Sequence, residues 1–184
     1  CIKDKIQNLN IVIGCTENCK YCYAANNVRR FHETEDFSVL EFFDNKLRII
    51  ERKKPQNFLL TGMSDLSGWK DTWRNDIFEK MAENPQHNYV FLTKHPEKLS
   101  FSTDIGNAWF GVSVTCRAEK ERIQNIRKYV KAKHYHATFE PMFDDIGEVD
   151  FSGIDWVVIG TMTGPMKKHI SSRKEMFLFE ETFL

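Results

Sequence analysis

Three of the five cysteines stand within eight positions, in the stretch Cys15-Thr16-Glu17-Asn18-Cys19-Lys20-Tyr21-Cys22, spaced Cys-x-x-x-Cys-x-x-Cys. Immediately before them runs Leu9-Asn10-Ile11-Val12-Ile13-Gly14, a β-branched run closed by glycine. That pattern predicts a strand delivering the thiols onto a loop. Thiolates are soft ligands, and three on one short loop can converge on one metal or cluster. Structural zinc takes four protein ligands, and electron-transfer iron–sulfur clusters usually take four cysteines. Here the remaining two, Cys1 and Cys116, are far away in sequence. A four-iron cluster on three thiolates would keep one iron open for a small molecule. The competing reading is a zinc-stabilised structural domain whose fourth ligand is His32 or Cys116. A disulfide framework suits neither the odd count nor a chain of this length.

Length and composition bound the rest. The chain has 184 residues, enough to bury a core, and 41% hydrophobic and 13% aromatic content exclude a disordered polymer. Twenty-six basic residues balance twenty-six acidic ones, so net charge gives no footprint for nucleic acid or a membrane surface. No apolar run reaches the length of a membrane span. Clustered free thiols suit a reducing compartment, so a cytoplasmic location is expected.

Strand-like and helix-like segments alternate. After the cysteines a short helix is expected from about Tyr23 to Arg30. Leu40, Phe43, Leu47 and Ile50 recur at helical spacing, and Lys54-Pro55 closes that helix. Further strands are expected at Asn57–Thr61, Tyr89–Thr93, Ala108–Val114, His134–Phe139 and Trp156–Gly160. Helix faces are marked between them by Trp73, Ile77 and Met81, and by Ile123, Ile126 and Val130. This alternation predicts a parallel α/β sheet. Six units are too few for the eight-unit barrel, so a partial, open (β/α)6 TIM-like barrel is expected. Ligands in such architectures bind at the carboxyl ends of the strands.

The cysteine spacing, with an aromatic (Tyr21) directly before the third cysteine, resembles the radical SAM superfamily. Ser64-Asp65-Leu66, Leu92-Thr93-Lys94-His95-Pro96-Glu97, Trp109-Phe110-Gly111-Val112-Ser113-Val114, Glu140-Pro141-Met142 and Asp155-Trp156-Val157-Val158-Ile159-Gly160 extend the likeness. They resemble the radical SAM-like proteins of phages and mobile elements, including the radical SAM mobile pair type, from about Asn10 to Pro165. The resemblance implies a single domain over 1–184, a [4Fe–4S] cluster on Cys15, Cys19 and Cys22, and S-adenosylmethionine on the open iron. It implies reductive cleavage of that cofactor to a 5′-deoxyadenosyl radical, with no known substrate.

The same resemblance suggests which strand ends meet the cofactor. Relatives carry a glycine-rich motif, often Gly-Gly-Glu, where this chain has Thr61-Gly62-Met63-Ser64-Asp65; one glycine is kept and the acid is displaced to Asp65. Thr61, Gly62 and Ser64 could accept from an ammonium group; a helix N-cap is the competing use of Ser64 or Asp65. Tyr21 is expected to help seat the adenine, Ser113 to contact ribose or carboxylate, and Gly160 to admit adenine or substrate. Glu140 is a candidate acid, base or ribose ligand. Lys94 could neutralise a ligand carboxylate.

An external electron donor is implied, and a paired protein is a candidate partner. A non-catalytic iron–sulfur protein associated with nucleic acid remains the alternative, supported by Arg29-Arg30, Lys53-Lys54 and Lys167-Lys168. Relatives continue beyond Gly164-Pro165 through a helix and a further strand, so the barrel is expected to be truncated at its C-terminus, with Met176-Phe177-Leu178-Phe179 as a terminal apolar segment.

Overall fold

The computed structural model describes residues 5–160. The terminal apolar segment and the basic pair at 167–168 lie outside them. In chain order the strands are β1 (Gln7–Asn8), β2 (Val12–Ile13), β3 (Glu41–Phe42), β4 (Asn57–Leu59) and β5 (Asn88–Thr93). They continue with β6 (Phe101–Ser102), β7 (Ala108–Ser113), β8 (Val130–Lys131), β9 (His134–Phe139) and β10 (Trp156–Ile159). The α-helices are α1 (Tyr23–Phe31), α2 (Asp71–Glu83) and α3 (Arg122–Tyr129). Six strands form one sheet in the order β1-β4-β5-β7-β9-β10, and every neighbouring pair is parallel. The sheet curls into half of a barrel, the open TIM-like architecture that the alternation predicts.

Register separates the two faces of the sheet. Phe58, Tyr89, Phe91, Ala108, Phe110, Val112, Ala137 and Phe139 point one way and join Ile77 and Met81 of α2 and Ile123 and Ile126 of α3 in one core. Phe91 and Phe110 stack at 5.0 Å between ring centroids, and Phe78 meets both edge-on at 5.9 Å. Burying such rings contributes about 2–3 kcal/mol each. The other face, the concave one, carries Leu92, Gly111, His136 and Trp156 across one row of the register.

Two expected elements differ. Leu9–Gly14 is not one strand. The chain leaves the parallel sheet after Leu9, whose N–H still donates to Leu59 O (2.9 Å), and a tight turn follows in which Ile11 N donates to Leu9 O (3.0 Å). Val12–Ile13 then pairs antiparallel with Glu41–Phe42. This pairing also cancels the helix expected across Leu40–Ile50. Phe43 N–H donates to Ile11 O (2.8 Å), which holds that segment extended, and only a short 3-10 helix, Asp44–Ile49, remains. Val130 closes the stripe of α3 but sits in β8, which pairs with β6.

One buried polar side chain on the concave face depends on a glycine. His136 spans across Gly111 so that its Nε2–H donates to Phe91 O (3.0 Å), and Trp156 covers it at 5.4 Å. A Cβ on Gly111 would overlap the imidazole ring. Gly111→Ala is therefore expected to destabilise the fold by about 1–3 kcal/mol, measured by urea unfolding.

Burial lowers the His136 pKa from 6.5 to about 4, against a smaller upward pull from the Phe91 carbonyl. The unfolded chain then takes up a proton that the folded chain refuses. This contribution is intact above pH 6.5 and fades as pH falls towards about 4, by about 3 kcal/mol in total. Comparing pH-dependent unfolding of the parent and His136→Gln should show the parent losing more stability across that window.

Candidate functional site

The cysteine loop begins where Gly14 allows it. Gly14 has φ +117°, and a Cβ there would strike the Val39 carbonyl, so only glycine passes the chain at this point. Gly14 N donates to Met63 O (3.0 Å) and Cys15 N to Phe37 O (2.7 Å), which pins the loop's start beside the end of β4. Cys22 closes the loop as the N-cap of α1, its Sγ accepting from Ala25 N–H at 3.4 Å. A thiolate at that position would sit at the positive end of a helix.

Lys94, just after β5, reaches back to the loop. Its ammonium donates to Cys19 Sγ (2.9 Å) and to Tyr21 Oη (2.5 Å), and lies 4.6 Å from the centre of the Tyr21 ring. Burial pulls the Lys94 pKa down, but these two partners together outweigh it and the net direction is up. The Tyr21 ring meets Phe143 edge-on at 5.1 Å. Burial pushes the Tyr21 hydroxyl up while Lys94 pulls it down. Burial also pushes the Cys15 thiol up to about 11, so a metal must displace its proton on binding.

His95 forms the second clasp. Its Nε2 lies 2.6 Å from Glu17 Oε2, inside the cysteine loop, and its Nδ1 lies 2.8 Å from Glu97 Oε1. Each ring nitrogen thus faces a carboxylate oxygen at hydrogen-bond distance.

Asp65 organises both clasps. Its Oδ1 accepts from Ser67 N–H (2.9 Å), Ser67 Oγ–H (2.8 Å) and Thr93 Oγ–H (2.6 Å), and its Oδ2 from Lys94 N–H (2.8 Å). It caps the 3-10 helix Leu66–Gly68 and fixes the end of β5. The other strand-end residues are also engaged. Thr61 Oγ accepts from Leu92 N–H (2.7 Å), Ser64 Oγ from Trp69 Nε1–H (2.9 Å), and Gly62 O from Tyr23 Oη–H (2.6 Å). The Ser113 carbonyl takes Arg122 Nη1–H (2.8 Å), and its side chain is half-buried. Glu140 is exposed and lies over Gly160, where an added Cβ would come within 2.6 Å of its carboxyl carbon.

The structure thus gathers Cys15, Cys19, Cys22 and Tyr21 with Thr61, Gly62, Ser64 and Asp65 at neighbouring strand ends. Ser113, Glu140 and Gly160 close the further strands of the same sheet. His95 and Glu17 were missed by sequence reasoning, although a histidine directly after the strand-end lysine was a visible signal. Asn8 and Asn10 were missed too. They alternate with buried Leu9 and Ile11, the pattern of a polar concave face.

The donor set fits an iron–sulfur cluster: three half-buried free thiols on one loop, with an ammonium beside one and a helix N-terminus behind another. Among the described residues no three His, Cys, Asp or Glu side chains gather as ligands for a single metal ion. His32 is exposed at the C-cap of α1, and Cys116 precedes the 3-10 helix Arg117–Glu119.

A family model matches residues 2–176, nearly the whole chain. The chain belongs to the DUF5131 family. That family is described as a protein of unknown function. No curated protein matches the sequence. Among solved structures, a mutant of spore photoproduct lyase is similar at TM-score 0.50 and 15% identity, covering 73% of this chain and 45% of that one. Spore photoproduct lyase complexed with dinucleoside spore photoproduct gives TM-score 0.44, 13% identity and the same coverage. The chain therefore spans less than half the length of these structures. The first likeness bears on the fold alone, the open partial barrel described above. No helix among the described residues is long and apolar enough to cross a membrane.

The His95 clasp is testable without any metal. A partly buried charge-assisted pair contributes about 1–2 kcal/mol. His95→Ala should therefore speed amide hydrogen exchange across Cys15–Cys22 about tenfold, by mass spectrometry, while protection of β5 and β7 stays unchanged.

Proposed function

We propose that this chain is a radical S-adenosylmethionine enzyme, with Cys15, Cys19 and Cys22 holding a [4Fe–4S] cluster. The carrying observation is the placement of three thiols, and no fourth, on one loop at the carboxyl mouth of a parallel half-barrel. A cluster held by Cys15, Cys19 and Cys22, with S-adenosylmethionine bound, would supply the electron for reductive cleavage of that cofactor's sulfonium.

The chain's own residues bind, orient and shield. Lys94 offsets the negative charge of thiolates at Cys19 and, through Tyr21, fixes the loop against β5. The clasp from His95 to Glu17 holds the other side of the loop. Arg122 braces the end of β7 through the Ser113 carbonyl and is itself held by Glu119 at 2.9 Å, which presents Ser113 to the mouth. Glu140 supplies an exposed carboxylate at the far rim, suited to accept a proton or a ribose hydroxyl. Tyr21 offers an aromatic edge for adenine. The electron comes from an external donor, and the substrate enters the open concave face.

Anaerobic reconstitution with iron and sulfide should give a brown protein with about four irons per chain. Reduced protein with S-adenosylmethionine should release 5′-deoxyadenosine and methionine, even without substrate. Cys15→Ala, Cys19→Ala or Cys22→Ala should each lose the cluster and both products, whereas Cys116→Ala keeps them. A colourless protein holding tightly bound zinc would overturn the proposal. So would loss of the cluster in Cys116→Ala with the fold intact.

A further inference from the structure

Each thiol of the motif meets a hydrogen-bond donor, and the donors differ in charge. The Glu17 backbone hydrogen-bonds the Cys15 sulfur. Ala25 N–H donates to Cys22 Sγ at 3.4 Å. Both of these are neutral amides. Cys19 instead takes the Lys94 ammonium at 2.9 Å, from a strand end 75 positions away. That ammonium is held in place from several sides. Asp65 Oδ2 accepts from Lys94 N–H (2.8 Å), which sets where the side chain starts. Tyr21 Oη accepts from Lys94 Nζ at 2.5 Å, and the centre of the Tyr21 ring lies 4.6 Å from the same nitrogen. Two acids also bear on the loop, Glu17 and Asp65, and both oppose further negative charge there.

We propose that Lys94 sets the reduction potential of the cluster that Cys15, Cys19 and Cys22 would hold, raising it through its contact with Cys19; this inference rests on the function proposed above. One electron passes from the external donor, which is oxidised, to the cluster, which is reduced, and no bond forms or breaks. Reduction adds a negative charge to a group that already carries thiolate charge. A fixed cation touching one ligand sulfur stabilises the added charge, and hydrogen bonds to the sulfurs are among the levers that set such potentials. The half-buried position of Cys19 screens the interaction less than open water would. A neutral amide stabilises the same electron less than an ammonium does, so Lys94 outweighs the Glu17 and Ala25 donors. The external donor therefore meets a cluster that one side chain makes easier to reduce.

The test is a potentiometric titration of the anaerobically reconstituted protein, followed by the electron paramagnetic resonance of the reduced cluster, with no S-adenosylmethionine present. Lys94→Met removes the charge and keeps most of the length. It should lower the ratio of reduced to oxidised cluster at a fixed potential about tenfold, which is about 59 mV for a one-electron couple. Lys94→Arg keeps the cation and should titrate close to the parent. Tyr21→Phe loosens the loop on the same side but leaves the ammonium beside Cys19, and should also titrate close to the parent. An unchanged potential in Lys94→Met overturns the tuning role. So does a fall in Lys94→Arg or Tyr21→Phe as large as that in Lys94→Met, because fixation of the loop rather than the charge would then set the potential. Lys94→Gln is the second neutral variant; if neither it nor Lys94→Met takes up iron, the ammonium serves assembly and the tuning role falls. A parent that assembles no cluster overturns the proposed function and this inference with it. A parent that shows the expected shifts but cleaves no S-adenosylmethionine keeps the tuning role and overturns the proposed catalysis.

Discussion

Four donors on one buried carboxylate set the geometry of the mouth. Asp65 ties the loop after β4 to the last residue of β5 and to the first residue beyond it. A carboxylate with that many charge-assisted bonds is held in one orientation, and its donors are held with it. The backbone at Lys94 is consequently fixed. From there the Lys94 ammonium reaches Cys19 and Tyr21, and His95 reaches Glu17. A loop of eight residues with no secondary structure of its own is thereby pinned from both sides. The position of the thiols is thus a property of β5 as much as of their own segment.

The sheet makes that arrangement possible by dividing its labour between faces. The convex face buries a row of aromatic and branched side chains against α2 and α3, and carries most of the folding energy. The concave face needs no such density, so it can hold asparagines, a glycine and a neutral histidine. His136 lies flat across Gly111 only because that position lacks a side chain, and the Asn8 and Asn10 carboxamides close against Gly62 in the same way. Absent side chains on one face do the shaping while filled positions on the other do the stabilising.

Long periodic segments are legible in the sequence. α2 follows the Trp73, Ile77, Met81 stripe and stops at Asn84-Pro85; β7, β9 and β10 fall within the expected runs, and β5 begins one residue before its own. The half-barrel follows from counting them. Short segments near the site are not legible in the same way. Val12–Ile13 and Glu41–Phe42 are two residues each, and their partners lie about thirty residues apart, so their state was decided by pairing with each other. Helical spacing at Leu40–Ile50 lost to one inter-segment hydrogen bond, Phe43 N–H to Ile11 O, reinforced by that pairing.

The sequence by itself determined the chemistry available: three thiols at a spacing that puts them on one loop, glycines at strand ends, and an alternation that demands a parallel α/β sheet. It did so because those signals are local, set by covalent spacing and by period. Which side chains meet was decided only in the tertiary structure. Lys94 and Cys19 are 75 positions apart, and Glu17 and His95 are 78. Asp65 read equally well as a cofactor ligand or a helix cap, and only its four donors show how its carboxylate is used. No window of sequence contains such pairs, because sheet register and the curl of the half-barrel bring them together.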